Sequence, residues 1–171
     1  MKNKGFTLIE LLIVVALIMI LATVSLGAYN MATTRSKDTQ RKNDLAQIVK
    51  AVESFANDVG RYPISDGSGN MLCYKKALTV VTNPVCIGGN LTNTIDALFT
   101  TYIVIPTDPD RDYKYYYESD ASGSTYAIYA YLQNKDDRDL ILDVDGKVVS
   151  YDKSCGTDMC NYKITEVGLI K

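Results

Sequence analysis

An uncharged stretch near the start of the chain limits what the chain can fold into more than any other feature. No charged residue occurs from Leu11 to Ala28, and Leu11–Ala22 has no polar side chain at all. About 20 helical residues, at ~1.5 Å of rise each, span the ~30 Å hydrocarbon core of a bilayer. Nearly every charge lies in residues 30–171. The sequence therefore predicts a membrane-spanning segment followed by a water-soluble body.

The composition excludes several classes of function. The chain has no His, which removes His-based acid/base catalysis, His metal ligands and Ser-His or Cys-His nucleophile pairs. Its 18 basic and 20 acidic residues give a formal net charge of −2, so bulk charge does not attract nucleic acid. A hydrolase built on pairs of Asp residues would need a motif that the sequence lacks. We therefore expect a protein that is not an enzyme.

Glu10 distinguishes this N-terminus from an ordinary membrane anchor. A carboxylate at the edge of an apolar helix is costly to bury and usually has a partner, although here it can also lie at headgroup level. A secretory signal peptide explains the basic start, Lys2 and Lys4, but the apolar run is long and no A-x-A-like cleavage site follows it. A plain single-span anchor leaves Glu10 without a role.

The string Lys4-Gly5-Phe6-Thr7-Leu8-Ile9-Glu10, directly before the apolar run, resembles the N-terminus of type IV pilins and type II secretion pseudopilins. In that family a prepilin peptidase cuts after the Gly and methylates the new terminal Phe. The resemblance implies cleavage between Gly5 and Phe6, which makes residues 1–5 a leader peptide. It also implies that the Glu10 carboxylate pairs with the terminal amine of a neighbouring subunit during filament assembly.

One long helix is predicted from Phe6 to Val59. This range contains no Pro and a single Gly, and Gly60 is a suitable helix end. Residues 6–29 form the half that lies in the membrane or in a filament core, and residues 30–59 form an amphipathic half. The apolar stripe of the second half recurs every three or four residues and comprises Leu45, Ile48, Val49, Val52, Phe55, Ala56 and Val59.

Residues 60–171 are predicted to form a globular head with an antiparallel sheet. Leu91–Thr101 is expected to hold a short helix, and four β-rich runs follow: Tyr113–Glu118, Thr125–Leu132, Leu140–Val144 and Val148–Tyr151, the last two flanking a tight Asp145-Gly146 turn. The helix stripe would cover the apolar face of the sheet, which gives a pilin-like α+β fold. Tyrosines are concentrated on the first two strands, where cross-strand packing is favoured over a stacking surface for a ligand.

The four cysteines, Cys73, Cys86, Cys155 and Cys160, all lie in the head. An even number in an exported region favours disulfides, and three connectivities are possible. We favour the local pairs, Cys73 with Cys86 and Cys155 with Cys160, because each brackets a loop that has no other constraint. A zinc site is the alternative, but the spacings are not those of CxxC pairs.

Two acidic groups, Thr107–Asp112 and Asp136–Asp139, are either solvated turns or a calcium site. Ile105–Pro109 and Arg61-Tyr62-Pro63 are similar to segments of the major pseudopilins of type II secretion, whose β-region holds a calcium ion. The Trp-Gly that usually follows Asp-Pro there is replaced by Asp110-Arg111. The resemblance implies calcium as a possible cofactor, with Asp108, Asp110, Asp112, Asp137 and Asp139 as its candidate ligands.

We therefore expect a structural filament subunit, inserted in the bacterial cytoplasmic membrane as a single-pass precursor and then moved into a type IV pilus or a pseudopilus. The resemblance implies as partners other copies of the chain, other pilins or pseudopilins, a prepilin peptidase, an assembly platform and a cytoplasmic motor. The basic residues after the span outnumber those before it, so the count of charges alone does not place the head outside. The alternative is a monomeric anchored module that binds a ligand outside the cell.

Overall fold

The structure is a computed structural model that describes residues 5–77, 80–84, 86, 89–95 and 98–169, with the side chains of residues 24–27 left out. Residues 1–4 of the expected leader peptide therefore lie outside the described residues. The chain divides into two compact units, Met1–Ser36 and Lys37–Lys171. One helix, α1 (Leu8–Val59), contributes to both of them.

The ends of α1 follow from local hydrogen bonds. Glu10 Oε2 accepts bonds from the Thr7 backbone N–H (2.9 Å) and the Thr7 hydroxyl (2.7 Å), and Thr7 Oγ1 accepts the Glu10 N–H (3.3 Å). This reciprocal arrangement is a capping box, which satisfies backbone donors of the first turn. It explains why the helix begins at Leu8 rather than at the predicted Phe6. At the other end Gly60 has a φ of 83° and donates to Ala56 O, as the sequence predicted.

The first unit contains the apolar part of α1. From Leu8 to Leu21 its large apolar side chains are 42–83% exposed, so the unit has no interior of its own. By length and composition this helix could cross a membrane, a criterion that signal sequences near an N-terminus also meet.

Among the described residues, the second unit combines the rest of α1 with eight strands in two four-stranded sheets. The first sheet has the order β2-β1-β3-β4, in which β1 and β3 are parallel and the other pairs antiparallel, and the second is antiparallel with the order β5-β6-β7-β8. The strands are β1 (Tyr74–Ala77), β2 (Val80–Thr82), β3 (Asn90–Ile95), β4 (Leu98–Val104), β5 (Tyr116–Ser119), β6 (Tyr126–Ala130), β7 (Tyr162–Thr165) and β8 (Gly168–Leu169). The predicted α+β class is confirmed.

The short helix predicted for Leu91–Thr101 is wrong, because this segment forms most of β3 and β4. Leu91 and Asn93 alternate inward as buried residues of β3, and the Thr residues of the segment favour an extended backbone. Pairing of β3 with β1, which lies about 20 residues earlier, supplies the hydrogen bonds. The helix-like spacing of Ile95, Leu98 and Phe99, on which the prediction depended, could not reveal that partner.

The hairpin predicted for Leu140–Val144 and Val148–Tyr151 is reduced to its turn. Asp143 Oδ1 accepts the N–H groups of Asp145 (2.9 Å) and Lys147 (2.8 Å), and the two runs meet only in an isolated bridge between Leu142 and Val148. The turn chemistry was therefore predicted correctly, whereas the strands were not. The second sheet instead uses β7 and β8, near the C-terminus, which the sequence analysis did not identify.

The core of the second unit lies between α1 and the sheets, as the amphipathic stripe predicted. Leu45, Ile48, Val52 and Phe55 belong to one buried cluster with residues of the second sheet, among them Tyr117, Tyr126, Ile128 and Ala130. Every residue of β6 is buried. A second cluster, formed by Ala127, Tyr129, Cys155 and Cys160, covers the other face of this strand. Both faces of β6 are thus covered, which explains its continuous apolar sequence.

Candidate functional site

The N-terminal turn combines the residues that the sequence analysis selected for processing and assembly. Gly5, Phe6 and Thr7 precede the helix, and Phe6 is 81% exposed. No atom lies within 4 Å of the position that a Cβ on Gly5 would take. Helix α1 begins three residues after Gly5, and the Glu10 carboxylate lies in its first turn, bonded to Thr7. The peptide bond between Gly5 and Phe6 is therefore in an open, non-helical segment immediately before a capped helix.

The apolar surface of the first unit is exposed on all sides of the helix. Its residues are exposed around the whole circumference, since consecutive residues such as Leu11, Leu12 and Ile13 are all more than half exposed. A helix that is apolar all round is stable only in lipid or among other helices. The unit can therefore insert in a bilayer or pack against identical helices.

A buried ion-pair network holds α1 to the loops of the head. Arg41 is fully buried and binds Asp108 through two parallel bonds, from Nε and Nη2, each 2.8 Å long. Its Nη1 donates to Asp38 one turn earlier, at 2.8 Å. Asp38 in turn accepts the backbone N–H groups of Gln133 (3.0 Å) and Asn134 (2.7 Å). One turn of helix is thereby joined to two separate loops.

Charge compensation in this network keeps Arg41 protonated. Burial on its own lowers the pKa of a guanidinium, but the hydrogen bonds to Asp108 and Asp38 outweigh burial, and the pKa of Arg41 is raised. The guanidinium also lies 5.2 Å from the ring centre of Tyr113, a cation–π distance. We refer to Asp38, Arg41 and Asp108 as the buried triad.

Two lysines extend the same contact at its edge. Lys37 Nζ lies 3.0 Å from Asp110 Oδ2, and Lys42 Nζ binds both Asp137 and, at 2.7 Å, Asp139. Hydrogen bonding to Lys37 is the main reason why the pKa of Asp110 is lowered. The pKa of Lys42 is raised, because its bonds to Asp137 and Asp139 outweigh the effect of burial.

The residues present do not fit the calcium site that the resemblance implied. Four of its five candidate ligands, Asp108, Asp110, Asp137 and Asp139, are bound by cations of α1. The backbone carbonyl of the fifth, Asp112, accepts the N–H of Thr157. Among the described residues, no group of three or more acidic or Cys side chains is placed to hold a metal ion. The positive charge that the acidic loops need comes from Lys37, Arg41 and Lys42.

The cysteines form the two local disulfides, Cys73–Cys86 and Cys155–Cys160. The first fixes the segment before the first sheet, because Cys73 directly precedes β1. The second closes a loop over the outer face of β6, where Cys155 and Cys160 are fully buried beside Tyr129. All four cysteines are therefore used in the framework of the head, with none left over.

The tyrosines pack across strands and bond to carboxylates of α1. Tyr116 opposes Tyr129 in the β5–β6 register, and the rings of Tyr117 and Tyr126 stack with centres 6.2 Å apart. The hydroxyls of Tyr102, Tyr115 and Tyr126 donate to Asp58 (2.7 Å), Asp44 (2.7 Å) and Glu53 (3.0 Å), respectively. Burial, followed by these acceptors, raises the pKa of all three tyrosines. This is the packing function that the sequence analysis favoured.

The buried triad is the feature that sequence reasoning missed. In the sequence, Arg41 and Lys42 are only two of the basic residues that follow the membrane span, and no motif marks Asp38. The available signal was the Asp38–Arg41 spacing of three residues on a helix, together with acidic loops in the head that needed cations. The pairing of Arg41 with Asp108, 67 residues later in the chain, depends on tertiary structure and has no local signature.

Comparisons with known proteins agree with the N-terminal motif. Residues 1–26 match the family model described as the prokaryotic N-terminal methylation motif. The chain is 43% identical over 61 residues to the type IV major pilin protein PilA of Myxococcus xanthus, covering 36% of this chain and 28% of that protein. It is 38% identical over 69 residues to the fimbrial protein EcpC of Eikenella corrodens (40% and 45% covered). It is 47% identical over 62 residues to the type IV major alpha-pilin of Moraxella bovis (36% and 38% covered).

The matched segments span less than half the length of these relatives, and no solved structure matches the chain. The family model covers the N-terminal motif and the first part of α1. Its residues are those that the geometry brings together at the start of α1, namely the open Gly5-Phe6 bond, the capped Glu10 and the exposed apolar helix. The N-terminal segment of this chain is therefore similar to that of type IV pilins.

Proposed function

We propose that this chain is a structural subunit of a type IV pilus, inserted in the cytoplasmic membrane as a precursor, cleaved between Gly5 and Phe6 and assembled through α1. The observation that carries the proposal is the exposed apolar helix directly after the open Gly5-Phe6 segment. In a membrane, lipid covers this surface. In a filament, the same surface is covered by the helices of other copies. The apolar surface of the subunit therefore stays covered when the subunit moves from the membrane to the filament.

The arrangement of Glu10 supports a role in assembly. Both bonds from Thr7 end on Oε2 of the carboxylate. We assign the other oxygen, Oε1, to the terminal amine of Phe6 on a neighbouring cleaved subunit. Such a pair offsets the cost of placing each charge among apolar helices, and it fixes the axial position of one subunit against the next. The uncleaved precursor has no charged amine at Phe6.

Two observations favour a pilus over a secretion pseudopilus. The relatives named above are pilins or fimbrial proteins. In addition, the acidic loops that resembled the calcium region of major pseudopilins are bound by Arg41 and Lys42. The partners in this proposal are other copies of the chain, a prepilin peptidase, an assembly platform and a cytoplasmic motor. A pseudopilus remains the alternative filament, and detection of the chain in surface filaments distinguishes the two.

The ion pairs also support a head outside the cytoplasm. Lys37, Arg41 and Lys42 follow the span, and on charge count they oppose this orientation. In the folded second unit these three cations are paired with carboxylates of the head. They therefore belong to the folded head rather than to a free basic flank of the span. The two disulfides agree with an oxidising compartment.

The direct test of processing is the intact mass of the protein purified from cells. We expect a mature chain that begins at Phe6 and carries one added methyl group. A chain that retains residues 1–5, with no methyl group on Phe6, would overturn the proposal. If the processed chain is absent from sheared surface filaments and stays single in the membrane, the anchored binding module is the better description.

Variants at the first helical turn separate capping from charge pairing. Glu10→Gln keeps an acceptor for Thr7 but removes the charge, whereas Thr7→Ala removes the cap but keeps the carboxylate. We expect Glu10→Ala and Glu10→Gln to insert in the membrane normally and to yield no filaments. Thr7→Ala, the matched control, should still assemble. Normal filaments from Glu10→Gln would refute the role of the charge.

A further inference from the structure

Strand β4 lies at an edge of the first sheet and is unusually open. It is seven residues long, Leu98–Val104, and contains no charge, Gly or Pro. Its first four residues are exposed on both faces, and Leu98 and Phe99 are 75% and 68% exposed. Among the described strands, β4 pairs only with β3. The outer side of β4 therefore presents backbone donors and acceptors beside two large apolar side chains.

The other sheet edges are protected in ways that β4 is not. The Tyr117 N–H on β5 bonds to Gly69 O at 2.9 Å, so the segment before β1 covers that edge. Strand β8 has two residues, and β2 has three and lies next to Lys75 and Lys76 of β1. Natural sheets shorten, charge or cover their edges, because an open neutral edge pairs with another strand. Among the described strands, β4 is the longest edge without such protection.

We propose that β4 is a docking strand for β4 of a second copy of this chain, with the two strands antiparallel about a two-fold axis at Thr100. The partner strand must itself be neutral, open and rich in residues that favour strands, and β4 meets each of these conditions. Two copies bring no like charges together. The pair would join two four-stranded sheets into one continuous sheet of eight strands.

The side chains of β4 complement themselves in this register. With Thr100 opposite Thr100 of the second copy, Phe99 lies opposite Thr101. Aromatic and β-branched side chains in opposed positions stabilise antiparallel pairs. The register of β4 on β3 shifts next to Tyr102, so the regular ladder that a new strand can continue is Leu98–Thr101. This is also the range in which every residue is exposed.

The symmetry of the pair determines which copies it joins, a step that depends on the proposed function. A two-fold contact is closed, whereas the repeating contact of a helical filament is head-to-tail. All subunits of a polar filament point the same way, so a two-fold β4 pair does not repeat along it. The β4 contact therefore joins subunits of neighbouring filaments, and it is distinct from the packing of α1 within one filament.

The first experiment measures self-association of the purified full chain in detergent by sedimentation at several concentrations. We expect a dimer that Thr100→Lys and Thr100→Asp each weaken by roughly fivefold or more, since like charges then face each other across the axis. An equimolar mixture of the two variants should dimerise again, because Lys then faces Asp. The matched controls are Thr82→Lys and Thr82→Asp at the opposite edge strand, which should leave dimerisation unchanged.

Three results would overturn the β4 contact: a full chain that stays monomeric at all concentrations, Thr100→Lys that dimerises like the unmodified chain, or equal weakening by Thr82→Lys. A mixture of Thr100→Lys with Thr82→Asp provides a further control. It carries the same opposite charges at unmatched positions and should not restore the dimer. Restoration by this mixture would show nonspecific attraction and would also overturn the contact.

The second experiment examines sheared filaments by electron microscopy and low-speed sedimentation. We expect filaments of the unmodified chain to bundle, filaments of Thr100→Lys to remain single, and a mixture of Thr100→Lys and Thr100→Asp filaments to bundle again. If the unmodified chain forms no filaments, the proposed function fails, while the dimer in detergent still decides the β4 contact. If filaments of Thr100→Lys bundle as the unmodified ones do, the link between filaments is refuted.

Discussion

Arg41 and Asp108 form a two-bond, side-on ion pair inside the head, with both N···O distances at 2.8 Å and both side chains buried. The pair joins the middle of α1 to the loop before β5, 67 residues later in the chain. Planar guanidinium and carboxylate groups are matched for such a contact, which fixes orientation as well as distance. The loop before β5 is therefore attached to α1 through directional bonds, in addition to the apolar contacts between α1 and the sheets.

Loss of Arg41 should destabilise the second unit strongly. Arg41→Met keeps much of the side-chain volume but leaves Asp38 and Asp108 buried without their cation, which typically costs about 3–5 kcal/mol. Arg41→Lys keeps the charge but loses the planar guanidinium that makes two parallel bonds to Asp108. Its loss of stability should therefore be smaller than that of Arg41→Met. The measurement is urea unfolding of the full chain in detergent, followed by tyrosine fluorescence.

Lys50→Met is the matched control for this prediction. Lys50 lies on the same helix but is exposed, and a surface substitution of this kind usually changes stability by about 0.5 kcal/mol or less. A loss for Arg41→Met no larger than that of the control would show that the buried triad contributes little to stability.

Calcium should have no effect on the stability of the head. Asp108, Asp110, Asp137 and Asp139 are bound by cations of α1, so a calcium ion would have to displace Lys37, Arg41 or Lys42 before it could bind. We expect the thermal midpoint of the full chain in detergent to stay within about 1 °C on addition of millimolar Ca²⁺ or a chelator, because a ligand that does not bind the folded state does not shift its stability.

A midpoint that rises with Ca²⁺ and falls with the chelator would contradict this prediction and restore the calcium interpretation. Lys42→Met serves as a comparison, since it frees Asp137 and Asp139 while leaving the rest of the acidic loops unchanged. If calcium stabilises this variant alone, the lysine is what excludes the ion from the native head.

Local patterns predicted the features that are determined by local interactions. The uncharged run, the stripe from Leu45 to Phe55, the Gly60 helix end and the Asp143–Gly146 turn each depend on residues within a few positions of one another. The first sheet and the buried triad depend instead on partners far apart in sequence. Tyr74 of β1 pairs with Asn93 of β3, and Arg41 with Asp108, and in neither case does one partner's surroundings specify the other.

The acidic loops show the same limitation for the site. Alternating Asp residues are equally suited to a metal ion and to basic side chains, because both supply positive charge to hard oxygen atoms. The choice was decided by the position of α1, which brings three cations to these loops. Sequence spacing could identify the need for positive charge but not its source.

The two disulfides should differ in how easily they are reduced in the folded protein. Thiol–disulfide exchange requires access of the attacking thiolate to a sulfur. Cys155 and Cys160 are fully buried within the second cluster, against one face of β6, whereas Cys86 is only half-buried. We expect a mild reductant to open Cys73–Cys86 first, as measured by alkylation and peptide mass spectrometry over time. In denaturant the difference should disappear, and reduction of Cys155–Cys160 first under native conditions would contradict the burial argument.

Strongly alkaline solution should unfold the head cooperatively. Ten of the 13 tyrosines have a pKa raised above the ordinary 10.0, chiefly by burial: Tyr62, Tyr102, Tyr113, Tyr115, Tyr117, Tyr126, Tyr129, Tyr131, Tyr151 and Tyr162. For several of them, a helix or loop carboxylate beside the hydroxyl adds to the effect, as Asp44 does for Tyr115. These tyrosines stay protonated in the folded chain at pH values where the unfolded chain ionises.

The sign of the pH dependence follows from this difference. Below pH 10 both states hold the tyrosine protons, and the stability contributed by neutral, buried tyrosines is fully present. Above pH 10 the unfolded state binds fewer protons, so stability falls as pH rises, by up to about 1.4 kcal/mol per pH unit for each such tyrosine. Tyrosinate absorbance and circular dichroism should therefore change together in one steep transition above pH 10. Gradual ionisation near pH 10, with the fold retained, would show that the hydroxyls are accessible to solvent and would contradict their burial against α1.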